Sequence, residues 1–174
     1  MFLNHQEQRL FINQKIIFDD NNQSGVYKRV MEKEQLVKDI YENKEKYKNI
    51  ELDHHTKVAL RELALEEVRL NEYPNYPSRL KSLYVSEEIK DSYNWAEYFI
   101  KLNRNVLQIV KLKVNGNIFK GDAHNCFDGT ISHEENIVLS RKYWNNEPNN
   151  KNQKPLIETL VSGDIEVIEI IKEY

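Results

Sequence analysis

Glu158 is the residue of this chain best placed to do chemistry. It stands in PLIETLVSGDIEVIEI with Leu156, Ile157 and Leu160 around it, and a carboxylate in apolar surroundings is uncommon unless it is paired or hydrogen-bonded. The competing reading is an edge-strand acid with its head in water. A second candidate surface comes from YPSRLKSLYVSEEIKDSYNWAEYF, where Ser82, Leu83, Tyr84, Val85 and Ser86 alternate as a strand does. Leu83 and Val85 then enter a core, while Ser82, Tyr84 and Ser86 face a cleft. A hydroxyl-lined aromatic strand beside a half-buried acid makes a site if the two meet.

Other constellations carry less. His54 and His55 are adjacent and the chain has no HExxH, so on a helix the two rings point in different directions and read as exposed helix-start residues. Asp122, His124 and Cys126 in GDAHNC supply one soft ligand and no second cluster to complete a zinc site. A Cys126–histidine nucleophilic pair lacks an orienting group and an oxyanion donor. Neither GxGxxG nor GxxxxGK[ST] occurs, and five glycines leave little scope for backbone cradling of phosphates. Glu66-Glu67 and Glu134-Glu135 read as solvated helix surface.

The elements that must position Glu158 and Tyr84 follow from periodicity. The residues up to Phe18 suggest two short strands, and Asp19 to Gly25 a loop. Val30 to Tyr47 reads as one amphipathic helix. A second runs from about Thr56 to Asn71, with Asp53 as N-cap and Pro74 ending it; Tyr73 to Ser78 is then an extended connection. A third, about Glu87 to Leu102, presents Ile89, Tyr93, Ala96 and Phe99 to the sheet. Val106 to Phe119 reads as a hairpin turning at Asn115-Gly116. Ser132-His133-Glu134-Glu135 is a capping box opening a helix towards Trp144. Leu156 onward gives a strand, a Ser162-Gly163-Asp164 turn and another strand. The polar segment Asn145 to Pro155 is expected to be a mobile loop beside the site.

Size and composition bound the rest. The 174 residues, 40% hydrophobic, suit a single domain spanning 1–174. With 25 Lys+Arg against 28 Asp+Glu and a formal net charge of -3, a nucleic-acid partner held by phosphate contacts is not favoured. One cysteine excludes an intrachain disulfide framework and suits a reducing cytoplasm. No apolar run is long enough to span a bilayer, so no membrane partner is expected.

The order of PSRLKSLYV, a helix with Trp95, GDA, RKYW and a late E-x-L-V strand resembles the ADP-ribosyltransferase superfamily, the fold of diphtheria-toxin-like and poly(ADP-ribose)-polymerase-like enzymes. More closely it resembles a family of small bacterial proteins of uncharacterised function. The resemblance implies an α+β fold: a split, mostly antiparallel sheet with helices inserted after its first strands. It implies NAD as substrate, with His5 in FLNHQ holding the ribose, Tyr84 and Ser82 lining the nicotinamide pocket, and Glu158 stabilising the oxocarbenium-like transition state. The loop before the glutamate, Asn145 to Pro155, would contact the unknown macromolecular target.

His5 lacks the Gly-Thr that follows it in many members, so Arg29 in VYKR or Arg79 in PSRL can stand as the polar anchor instead. Leu156 occupies the place where arginine-modifying members carry Glu or Gln, which disfavours arginine as acceptor. Members of the superfamily can keep the fold and lose the reaction. The rival reading is therefore a non-catalytic protein-interaction module.

Overall fold

The structure, a computed structural model, describes residues 2–4, 8–18, 25–149 and 153–174. It is an α+β fold. In chain order the elements are β1 (Phe2–Asn4), β2 (Lys15–Ile16), α1 (Gly25–Met31), α2 (Glu34–Glu42), α3 (Lys44–Tyr47), α4 (His54–Glu72), β3 (Leu83–Val85) and α5 (Ile89–Lys101). They continue with β4 (Gln108–Asn115), β5 (Ile118–Asp122), a 3-10 turn at Ala123–Asn125, α6 (His133–Trp144), β6 (Ile157–Val161) and β7 (Asp164–Glu173). The strands form two antiparallel sheets, one ordered β1-β4-β7-β2 and the other β3-β6-β5.

The split overturns the expected hairpin. Although β4 and β5 are joined by Asn115-Gly116, they do not pair: β4 runs along β7, and β5 along β6. The turn at Ser162-Gly163 likewise hands the chain from β6 in one sheet to β7 in the other. The two crossovers lie against each other, with the Ser162 amide donating to the Asn117 carbonyl at 3.0 Å. A Cβ on Gly116 would stand 2.0 Å from the Ser162 carbonyl oxygen, and Gly163 has φ of 102°. Glycine is needed at one crossover for room and at the other for its left-handed backbone.

Helix α4 is the centre of the molecule. Asp53 caps it, its carboxylate accepting from the Thr56 amide and hydroxyl at 3.0 and 2.6 Å. One side packs Ala59 and Leu60 against Val30, Val37 and Ile40 of α1 and α2; the other packs Leu65 and Val68 against Phe119, Leu160, Tyr143 and Trp144. The junction of the two sheets holds Leu83, Val161 and Ile165.

The single helix expected over Val30 to Tyr47 is broken into three. Asn43 interrupts it at φ -121°, ψ 44°, its side-chain amide donating to Asp39 Oδ1 at 2.8 Å in the local competition with helical bonding typical of asparagine. Along α5 the buried residues are Ser92 and Ala96, while Ile89 is exposed. At α6, Ser132 accepts from the Glu135 amide, but the Glu135 carboxylate takes the Thr130 hydroxyl instead of completing the box. Residues 19–24 of the expected first loop lie outside the described residues. Among the described residues, no helix is long and apolar enough to cross a membrane.

Replacing Gly116 with Ala is expected to cost about 2 kcal/mol, because the added Cβ overlaps the Ser162 carbonyl and forces the crossovers to shift. That lowers Tm by roughly 4–8 °C for a chain of this size, to be read by thermal unfolding. An unshifted midpoint would show that the crossovers can separate.

Candidate functional site

Arg79 is the residue around which the candidate site is built. The chain leaves α4 through Tyr73 and Pro74 and is clamped back onto that helix. Arg69 donates to Glu66 through Nε and Nη2, both at 2.9 Å, and to the carbonyls of Pro74 and Tyr76 at 3.3 and 3.1 Å. Ser78 donates to the same Glu66 at 2.9 Å. Glu66 is thus a clamp, not the solvated surface acid that its Glu-Glu dipeptide suggests. The clamp fixes Arg79, next along the chain, inside the molecule at 5% exposure.

Its guanidinium is fully engaged. Nε donates to Glu62 Oε2 at 2.9 Å, and Nη1 donates both to Tyr143 Oη and to Glu158 Oε1, each at 2.6 Å. Arg61 supports Glu62 from the other side, with Nε and Nη2 at 3.0 and 2.9 Å from Oε1. Burial pushes the Glu62 carboxyl up, but the charges of Arg79 and Arg61 outweigh it and hold the group below its ordinary range. Two arginines and two carboxylates leave the cluster neutral, the condition under which buried charge is tolerable.

Glu158 comes from β6 and Tyr84 from β3. Tyr84 is opposite Leu160 in the register, so by strand alternation Tyr84, Leu160 and Glu158 share one face. Gly121 lies opposite Glu158 on β5; a Cβ there would meet the Phe119 ring at 2.7 Å, beside Tyr143. Tyr143 donates to Glu158 Oε1 at 2.6 Å. Burial raises its hydroxyl far above the ordinary value, against the pull of Arg79, and the Glu158 charge raises it further, so it remains a donor. Both of these bonds fall on Oε1, and Oε2 makes no hydrogen bond among the described residues. Glu158 is therefore an oriented carboxylate with one oxygen committed and the other free, its side chain 17% exposed.

Tyr84 meets the same guanidinium from its other side, 5.4 Å from the ring centroid. Burial raises its hydroxyl, Arg79 opposing, so the phenol stays neutral; that hydroxyl bonds to no described residue. Tyr84 and Glu158 both line a cavity of about 290 Å³, together with Ser86, Trp95 and Phe99. It opens into a wider groove floored by Trp95 and Tyr98 and edged by Lys154 and Pro155.

The sequence-chosen residues divide three ways. Glu158, Tyr84 and Arg79 converge. Ser82 is buried, with its hydroxyl unpartnered among the described residues, and lines neither cavity; Ser86 is the strand hydroxyl that does. His5 lies outside the described residues, although β1, which precedes it, lies beside β3. Glu62 and Tyr143 are site residues that sequence reading missed. Glu62 had a signal: it falls three residues from both Ala59 and Leu65 on the apolar side of α4. Cys126 receives Arg79 Nη2 at 3.6 Å, but burial raises its thiol and outweighs Arg79 and Arg61, leaving a weak nucleophile. The segment expected to be a mobile loop is anchored at its described start: Asn145 accepts from the Tyr73 hydroxyl at 2.6 Å, and Asn149 donates to Asp122 at 2.5 Å. Residues 150–152 lie outside the described residues.

Because Glu62 is held ionised below its ordinary 4.5, the unfolded chain binds its proton more readily than the folded one. Its contribution is complete above the unfolded pKa and is lost as pH falls through the lower folded value. Glu62→Gln is expected to destabilise by about 3–5 kcal/mol near neutrality, the cost of unpairing buried charge. The deficit should shrink between pH 5 and pH 3, measured by denaturant unfolding; a constant deficit would show that the Glu62 charge is not what supports Arg79.

No curated protein matches the chain. Residues 3–173 match a family described as protein of unknown function (DUF2441), and the chain belongs to that family.

Proposed function

We propose that this protein cleaves the bond between nicotinamide and ribose in NAD and passes ADP-ribose to an acceptor or to water. The observation that carries the reading is the state of Glu158: one oxygen pinned by Arg79 and Tyr143, the other free, on a cavity shared with Tyr84 and Trp95. The order of motifs along the chain and the two-sheet arrangement support the ADP-ribosyltransferase-like assignment.

The bond from the ribose anomeric carbon to the nicotinamide nitrogen breaks with its electron pair leaving on nicotinamide. The acceptor oxygen or nitrogen then bonds to that carbon and gives up a proton. Positive charge grows on the ribose as the bond stretches. A fixed carboxylate accepting the ribose 2'-hydroxyl stabilises that charge more than the ground state, which is the condition for raising turnover. Pinning by Arg79 and Tyr143 means Glu158 need not reorganise as the charge develops. Tyr84 and Trp95 supply apolar faces for the flat ring, and Ser86 a polar group at the edge of the same cavity.

Glu158→Gln keeps the shape and removes the charge, and is expected to lower nicotinamide release by about 10²–10³-fold with little change in KM. Tyr84→Ala should act mainly on KM. Turnover by Glu158→Gln equal to the parent would remove Glu158 from the mechanism. A parent protein that neither releases nicotinamide nor gains thermal stability with NAD would favour the interaction-module reading, for which α5 offers Tyr98, Ile100 and Leu102, each about half exposed.

A further inference from the structure

A second cavity, of about 610 Å³, lies on the helical side of Tyr84. Four arginines line it from four different parts of the chain: Arg29 on α1, Arg61 on α4, Arg79 before β3 and Arg104 after α5. His54 and His55, in the first turn of α4, are also on its wall. Among the described residues the one acid on that wall is Glu62.

Among the described residues the charge balance of this cleft does not close. Glu62 and Glu158 together compensate Arg61 and Arg79. Arg29 and Arg104 are exposed, and neither forms an ion pair among the described residues; Arg104 rests against the Phe99 ring at 5.3 Å. Two uncompensated guanidinium groups therefore face one concavity in a protein whose formal net charge is -3. Like charges brought together by folding repel, and the effect is strongest in a concave, partly desolvated site. A ligand carrying two or more negative charges removes that repulsion. Guanidinium is the group best shaped to meet phosphate oxygens in pairs.

We infer that this cleft binds the phosphate groups of a phosphorylated ligand, with Arg29 and Arg104 as the direct contacts. Arg61 and Arg79 are already spent on carboxylates and shape the floor. The inference stands on the cleft alone and does not need Glu158 to be catalytic. The phosphates have two possible sources, the diphosphate of NAD or a separate phosphorylated molecule. Tyr84 lines both this cleft and the smaller cavity, so the two adjoin across its ring.

The test is calorimetric titration with inorganic pyrophosphate at low ionic strength, on the parent and on the Arg29→Ala, Arg104→Ala double variant. Both side chains are exposed, so the variant should fold; the Arg29→Lys, Arg104→Lys pair keeps the charge and should retain part of the affinity. The expected result is binding to the parent that weakens about tenfold or more in the alanine variant. Repeating the titration with ADP-ribose separates the sources. An equal loss for both ligands assigns the cleft to the diphosphate of the dinucleotide, and a loss confined to pyrophosphate assigns it to a separate ligand. No pyrophosphate binding by the parent, or equal binding by the alanine variant, overturns the inference. Nicotinamide release reports on Glu158 independently of either result.

Discussion

A guanidinium that cannot shed its proton is buried at Arg79, and the surrounding structure is arranged to compensate it. Its charge is shared between Glu62 of α4 and Glu158 of β6, its Nη1 also reaches Tyr143 of α6, and its flat faces meet the rings of Tyr84 and Tyr143. Helix and sheet layers that pack through Leu65, Val68, Tyr143, Trp144, Phe119 and Leu160 are thereby also tied by directional bonds. Lysine could supply the charge but not the planar fork that engages Glu62, Tyr143 and Glu158 at once.

The arrangement is stable only if every charge has its counterpart, and Glu158 is where the satisfaction is incomplete. One of its oxygens receives two donors at 2.6 Å while the other receives none among the described residues. The asymmetry leaves a group that is held in place by two donors on one oxygen and open on the other to a hydroxyl from outside.

What could be read from sequence was local. The Asp53 cap, the α4 boundary near Pro74, the start of α6 at Ser132 and the β3 strand into α5 are each set by neighbouring residues, and each appears within a few positions of its expected place. Asn115-Gly116 and Ser162-Gly163 signalled turns correctly, yet a turn signal specifies where the chain bends and not which strand it then joins. The pairing was decided by contacts between distant segments, and by two glycines that let the crossovers touch. The candidate site divides in the same manner. Glu158 and Tyr84 stood out because their immediate neighbours are apolar. Glu66 read as a solvated acid because its Glu-Glu dipeptide does not reveal the Arg69 and Ser78 clamp, whereas Glu62 carried a signal in its spacing from Ala59 and Leu65. Trp95 was visible as part of a motif, but its place on the cavity wall depends on how α5 packs beside β3.

The polarity across Tyr84 connects the two cavities. On one side a carboxylate faces a small aromatic space; on the other, Arg29 and Arg104 have no ion-pair partner among the described residues. A ligand complementary to both must carry a flat cationic or cation-forming group at one end and phosphates at the other. NAD has that order of charge: a pyridinium ring, a ribose on which positive charge develops, then a diphosphate. Binding energy drawn from the phosphate end would hold the ribose against Glu158, and interactions far from the breaking bond are what an enzyme uses to position the reacting centre. Neutralising Arg29 and Arg104 also removes repulsion that is present in the unliganded cleft.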